Sequence, residues 1–161
     1  MNQLAEVLAF FAAPPAKQVE ALPSLPVDPG ARDFHADFGR NPLLVLVQTY
    51  LRFFFHRDDE PWEAFLERLG VPPSTGSWPE SVAELNYVLD TISPRDPAMW
   101  TQRALDRKVA WRLARRLARV ALADFGWSTR ADRGNLEALL KQYSPQLATE
   151  WREEGWTWRS E

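Results

Sequence analysis

The residue types best suited to chemistry in this sequence are two histidines, each set among carboxylates. His35 lies two residues before Asp37, and His56 lies two residues before Asp58. Imidazole and carboxylate groups together bind divalent cations, and a metal-bound water is a hydrolytic nucleophile. If the two stretches meet in space, these four residues are candidate metal ligands, and a divalent-metal-dependent hydrolase is one hypothesis. The spacing matches no established metal motif, and turn formation or helix capping explains the aspartates without a metal.

Other catalytic signatures are missing from the sequence. It contains no cysteine, which excludes disulfides, thiolate metal sites and cysteine nucleophiles. Its seven glycines are scattered and form no phosphate-binding loop. Neither a nucleophile elbow nor a His-Glu-x-x-His motif occurs. The sequence therefore favours a protein that binds without catalysing a reaction, and it predicts no cofactor.

Positive charge is concentrated in one predicted helix. The protein carries a net charge of −3, yet the segment from Pro97 to Arg133 holds nine basic and three acidic residues, so it is +6 and the rest is −9. At about 100° per residue, five of the basic side chains share one face, with an apolar arc beside them. The basic face comprises Lys108, Arg112, Arg115, Arg116 and Arg119. The apolar arc, predicted to face the core, comprises Val109, Leu113, Leu117, Val120 and Ala121.

Three interpretations of this basic face compete. It is a solvated surface partly paired with acids, a docking surface for an acidic protein, or a phosphate-binding surface. The leading hypothesis is a protein-interaction or assembly module that binds an acidic partner or a second copy of itself. The alternative is a non-specific nucleic-acid-binding protein, or a subunit of a nucleoprotein complex, that uses the same face.

Tryptophan is the other unusual residue type, with eight in the chain. Four of them crowd the C-terminal part: Trp127, Trp151, Trp156 and Trp158. Exposed aromatic side chains next to arginines could stack on bases or fill a pocket of a partner. The favoured interpretation is instead that the tail folds back and covers the helices.

The elements that position these residues are predicted to be helices only. Apolar residues recur with helical spacing, and no stretch of useful length alternates with period two. We predict an all-α single domain, an irregular bundle of six or seven helices. An extended Pro/Gly connector is expected over 23–40, and a short Trp-rich tail at the C-terminus. The segment Pro42 to Phe55 is too short and too interrupted to cross a membrane, so we expect no membrane partner and a cytoplasmic location.

Four helices carry clear expectations. Asn41-Pro42 predicts an N-cap followed by a helix that is apolar nearly all round, hence central to the core. Its polar stripe is Gln48, Arg52 and His56. A long basic-faced helix is expected over 97–124, closed by Gly126. A capping box is predicted at Ser77 to Glu80, and a last short helix is predicted to begin at Ser144-Pro145.

Overall fold

The chain folds into α-helices, as the apolar spacing predicts. A computed structural model describes residues 2–29, 41–54, 59–71, 79–128 and 133–153. These residues form a 3₁₀ turn, Pro97–Met99, and no strand, so the predicted all-α class is confirmed. No helix in these ranges is both long and apolar enough to cross a bilayer. The α-helices are α1 (Gln3–Ala12), α2 (Pro15–Ala21), α3 (Pro42–Phe53), α4 (Trp62–Leu69), α5 (Glu80–Thr91), α6 (Gln102–Arg107), α7 (Val109–Phe125) and α8 (Arg133–Glu153).

Helix α3 begins and packs as its sequence predicts. The Asn41 side chain accepts a hydrogen bond from the Leu44 N–H at 3.1 Å, with Pro42 at the first helical position. The Asn41 amide also donates to the Trp100 carbonyl at 2.9 Å, which ties the start of α3 to the turn before α6. The side chains from Leu43 to Val47, together with Tyr50, are all buried. Burial on nearly every side makes α3 a central helix of the core.

Helix α1 is buried as completely as α3, which its amphipathic pattern does not predict. Seven of its ten residues are buried, and it packs against α2, α3, α7 and α8. Leu4, Val7, Leu8 and Phe11, at helical spacing i, i+3, i+4 and i+7, form its apolar face and are buried. The C-terminal carbonyls of α1 therefore point into protein, and they need donors from other parts of the chain.

Two prolines that follow α1 remove backbone donors for its last carbonyls. In a continuing helix the N–H groups of residues 14 and 15 would donate to the carbonyls of Phe10 and Phe11, but both residues are proline and have no N–H. The side-chain amide of Gln18 takes their place, donating to Phe10 O at 3.1 Å and to Phe11 O at 3.2 Å. Gln18 is 1% exposed, so its position on α2 is fixed by this capping role.

The predicted long helix over 97–124 is wrong, because the chain breaks twice there. Asp96 caps the 3₁₀ turn, and Thr101 caps α6 through a 3.1 Å bond from the Ala104 N–H. Lys108 has an extended backbone and stands between α6 and α7. Neither glycine nor proline marks the second break, so its cause is tertiary. Gly126 ends α7 in the left-handed region, with φ of 69°, as predicted.

Two further helix boundaries differ from the sequence prediction. Helix α8 runs through Pro145 without restarting. Pro145 and Lys141, whose carbonyl loses its usual donor, are both exposed, so the missing bond faces solvent and costs less than it would in the core. Helix α5 begins at Glu80, with Pro79 as its N-cap and no side-chain cap. Glu80 is therefore the first helical residue, whereas the glutamate of a capping box occupies the third helical position. Ser77 lies outside the described residues.

The described part of the predicted connector, 23–29, has neither helix nor strand and lies against α6. The carbonyls of Pro26 and Val27 accept from the N–H groups of Gln102 and Arg103 at 2.8 and 3.2 Å. Arg103 also forms a 2.9 Å ion pair with Asp28. This segment therefore satisfies the free N–H groups at the start of α6. Residues 30–40 and the tail from 154 onward lie outside the described residues.

Tyr50 generates a stability prediction, because its buried hydroxyl has no hydrogen-bond partner among the residues that the structure describes. Its ring is held by Phe11 and Phe54, at centroid distances of 5.3 and 5.0 Å. We expect Tyr50→Phe to raise the free energy of unfolding by about 1 kcal/mol, because it removes an unsatisfied polar group. Urea unfolding near neutral pH measures this.

The same variant should behave differently in alkali. Burial raises the pKa of Tyr50 well above its ordinary value of 10.0. Above the ordinary pKa the unfolded chain ionises this tyrosine while the folded chain does not, so the wild type loses stability as pH rises and the phenylalanine variant lacks that loss. The gap between the two proteins should widen above about pH 10. Tyr87→Phe, at a side chain that is 73% exposed, is the control and should change neither measurement. A less stable Tyr50→Phe protein would contradict the prediction.

Candidate interaction surface

Helix α7 lies between α1 and α5, which both pack along it. Its buried residues are Trp111, Ala114, Arg115, Leu117, Ala118, Ala121 and Leu122. The predicted core arc is therefore wrong for Val109, Leu113 and Val120, which are 71%, 40% and 45% exposed. The face that meets the core is rotated by about a third of a turn from the predicted one. Its alanines give α1 and α5 room to approach on either side.

Arg115, predicted to belong to the basic face, lies on this buried side and is 8% exposed. Its Nε donates to Ala13 O at 3.0 Å, and its Nη2 donates to Gln18 Oε1 at 3.1 Å and to Leu105 O at 2.7 Å. Burial first, and then the charge of Arg119, lowers the pKa of Arg115. The acceptors include carbonyls at the C-terminal ends of α1 and α6, where the helix dipole favours a cation.

Two more arginines of the basic face hold helix ends. Arg119 Nε donates to Ala12 O at 2.9 Å, next to the carbonyl that Arg115 binds. Arg112 Nη2 donates to the carbonyl of Arg107, the last residue of α6, at 2.8 Å. Both side chains remain exposed. Their guanidinium groups are nevertheless committed to backbone carbonyls, which restricts how they can turn toward a partner.

Lys108 and Arg116 complete the basic face and differ from the other three. Both are exposed. Within the described ranges, neither side chain makes a hydrogen bond or an ion pair. These two cations are therefore free to meet a partner.

The apolar side chains that α7 leaves in solvent form a narrow row. Val109, Leu113 and Val120 fall within about 40° of one another around the helix axis, and we call them the α7 stripe. Arg116 falls beside the stripe on the side toward α1, and Asp124 falls beside it on the side toward α5. An aligned row of exposed apolar side chains is a candidate contact surface for another protein. The sequence showed these residues as apolar but could not show that they face outward.

The aromatic candidates divide between core and undescribed chain. Trp127 is half-buried and stacks on Phe125 at a centroid distance of 4.4 Å, packed against the core. It is therefore not an exposed aromatic platform. Trp151 lies on α8, whose backbone alone is described there. Trp156 and Trp158 lie outside the described residues.

The polar and metal candidates are also only partly described. Gln48 and Arg52 are half-buried on α3. The four candidate metal ligands lie outside the described residues: His35, Asp37, His56 and Asp58. His56 is also the third member of the polar stripe. Elsewhere, the described chain holds no group of three or more histidine, aspartate or glutamate side chains placed to bind a metal.

A pocket of about 570 Å³, which the sequence did not predict, opens between α1, α3, α4 and α8. Phe53, Leu69 and Tyr143 line it together with Arg68. Arg68 is held by Glu60 through two bonds of 3.0 and 3.2 Å, and it also lies 5.2 Å from the Phe65 ring. Its charge is therefore already used within the fold. Two other polar side chains of the lining are bonded as well, since Asn2 Nδ2 donates to Gly70 O and Tyr143 Oη donates to Gln3 Oε1.

Comparison with known proteins gives this chain no relative. It matches no protein-family model, no curated protein and no solved structure.

Neighbouring arginines provide a direct test of how α7 is oriented. Arg115→Met should lower the free energy of unfolding by about 3 kcal/mol or more, because it leaves two buried acceptors and one part-buried acceptor without their donor. Arg116→Met, one residue away and exposed, should change it by less than about 0.5 kcal/mol. Chemical denaturation of the two variants measures the difference. Equal effects would contradict the buried position of Arg115.

Proposed function

We propose that this protein is a non-enzymatic interaction module that binds an acidic protein surface through the α7 stripe and the two free cations, Lys108 and Arg116. The observation that carries the proposal is the alignment of exposed apolar side chains with unpaired positive charge on one helix. An amphipathic acidic helix is the partner that fits such a surface, with apolar anchors on the stripe and carboxylates toward the cations.

The two components contribute differently to binding. Burying an exposed valine or leucine side chain contributes about 1.5–3 kcal/mol when burial is complete. An exposed ion pair contributes about 0–1 kcal/mol and weakens with salt. Affinity should therefore come chiefly from the stripe, while the cations accelerate and orient the encounter.

The nucleic-acid alternative has less support. Arg112, Arg115 and Arg119 already donate to backbone carbonyls, and Arg115 is buried. Apolar side chains occupy the middle of the exposed face, where a phosphate backbone would need donors. A nucleic acid would depend mainly on Lys108 and Arg116.

A pair of synthetic peptides tests the proposal. A fluorescently labelled helical peptide with leucines on one face and glutamates beside them should bind, with anisotropy rising as protein is added. A matched peptide with lysines in place of the glutamates should bind more weakly. The variant Leu113→Gln/Val120→Gln should lose most of the affinity for the acidic peptide, about tenfold or more, because it removes the apolar contacts without adding charge.

Val27→Gln is the control for that variant, since Val27 is a 57% exposed valine far from α7 in sequence and on the 23–29 segment. It should bind the acidic peptide like the wild type. Circular dichroism should confirm that each variant remains helical. Unchanged binding by Leu113→Gln/Val120→Gln would contradict the proposal. Tight, salt-sensitive binding of labelled DNA or RNA that is lost in Arg116→Glu would support the nucleic-acid alternative instead.

A further inference from the structure

The exposed face of α5 has the opposite charge to that of α7. Helix α5 buries Ser81, Val82, Leu85 and Leu89. The residues it leaves exposed include Glu80, Glu84, Tyr87 and Asp90. In the described chain these three carboxylates form no ion pair, and Tyr87 is 73% exposed. An acidic face with one protruding aromatic side chain is the kind of partner that the α7 stripe is proposed to bind.

The two faces lie side by side on the same surface. Ser81, at the start of α5, donates to Asp124, at the end of α7, at 2.9 Å. Because the helices pack along each other, this bond means that they run antiparallel. One surface of the molecule therefore presents a basic, apolar helix next to an acidic one. A monomer cannot bring these two outward faces together, but two copies can.

We infer that the partner of the α7 stripe is a second copy of this chain, with α7 of each copy lying on α5 of the other. This inference rests on the proposed function and names its partner. A two-fold axis parallel to the helices and between them produces this arrangement, because it exchanges the positions of α5 and α7 across the interface. A two-fold axis across the helices would instead place α5 on α5 and α7 on α7, with like charges facing. The charge pattern selects the first axis.

Symmetry also fixes the register of this dimer. Rotation about an axis parallel to the helices leaves the position of each residue along that axis, its level, unchanged. The Ser81–Asp124 bond places these two residues at the same level, so it sets which residues of α5 and α7 face each other across the interface. Arg116 then lies within about 2 Å of the level of Asp90 of the second copy, and about 7 Å along the axis from the level of Glu84. Tyr87 of the second copy falls between the levels of Leu113 and Val120. Lys108 lies beyond the end of α5 and meets no acid of that helix.

The size of this interface predicts a weak dimer. Helix α7 has 17 residues, and at 1.5 Å per residue it is about 25 Å long. Two adjacent helices about 10 Å apart then present a footprint of about 500 Å². Stable interfaces bury about 800 Å² on each partner, so the dimer should be transient, with a Kd on the order of micromolar or weaker.

Sedimentation equilibrium of the full chain over a wide concentration range tests the dimer. The wild type should pass from monomer to dimer, and Arg116→Glu should weaken the dimer by about tenfold or more because each contact occurs twice. Lys141→Glu is the matched control, with the same size and sign of charge change at an exposed residue of α8, which packs against α1 and α3 rather than against α5 or α7, and it should leave the dimer unchanged. The double variant Glu84→Arg/Asp90→Arg should weaken the dimer as Arg116→Glu does.

Mixing the two weakened variants gives the sharpest result. In the proposed arrangement, Arg116→Glu and Glu84→Arg/Asp90→Arg have complementary faces at both halves of the interface. Their mixture should form a heterodimer at concentrations where each variant alone is a monomer, as detected by native mass spectrometry.

Three outcomes of these experiments would overturn the inference. A wild type that remains monomeric up to about millimolar concentration refutes the dimer. A dimer that is insensitive to Glu84→Arg/Asp90→Arg, or a mixture that fails to associate, refutes the pairing of α5 with α7. If the acidic peptide still binds the α7 stripe of a monomeric protein, the proposed function stands and only the identity of the partner is wrong. Failure of both the dimer and the peptide removes the proposed function as well.

Discussion

The fold depends on satisfying the C-terminal carbonyls of a helix that ends inside the protein. Helix α1 is buried, and the prolines at 14 and 15 remove the N–H groups that would otherwise bond its last turn. Gln18 supplies two of the missing donors, and Arg119 and Arg115 supply those for Ala12 and Ala13. The Phe10 carbonyl also accepts from the Ala13 N–H at 3.1 Å, so the carbonyls that depend on these side chains alone are those of Phe11, Ala12 and Ala13. An unsatisfied buried carbonyl costs about 1–3 kcal/mol, which is a large share of a small domain's stability.

This constraint explains the geometry of the C-terminal half. Arg115 reaches the end of α1 only if its side of α7 faces inward, and this orientation moves Trp111 into the core beside Trp100, at a centroid distance of 5.8 Å. Arg115 and Arg112 also donate to the carbonyls of Leu105 and Arg107. Those bonds compensate for helical bonds that are lost at Lys108, so the chain can turn there without glycine or proline.

The same constraint determines what remains on the surface. With the alanines, Trp111 and Arg115 turned inward, the valines and the leucine of the α7 stripe face solvent beside Arg116. Arg112, Arg115 and Arg119 donate to carbonyls at helix ends, whereas Arg116 makes no hydrogen bond or ion pair among the described residues. A basic face read from spacing alone therefore overstates the charge available to a partner. The structure leaves a mixed apolar and basic surface next to an acidic one, and the proposed association with a protein partner rests on this arrangement.

The sequence by itself determined the features that depend on neighbouring residues. The helical class, the Asn41-Pro42 start of α3 and the Gly126 end of α7 follow from spacing and capping within a few residues. The tertiary structure alone decided which side of α7 is buried, why Arg115 is buried while Arg116 is exposed, and where the predicted long helix breaks. The physical reason is distance along the chain. The carbonyl that binds Arg115 belongs to a residue 102 positions away, and two arcs of α7 are apolar enough to serve as the core. Local pattern cannot choose between those arcs, because the choice depends on the unsatisfied end of α1.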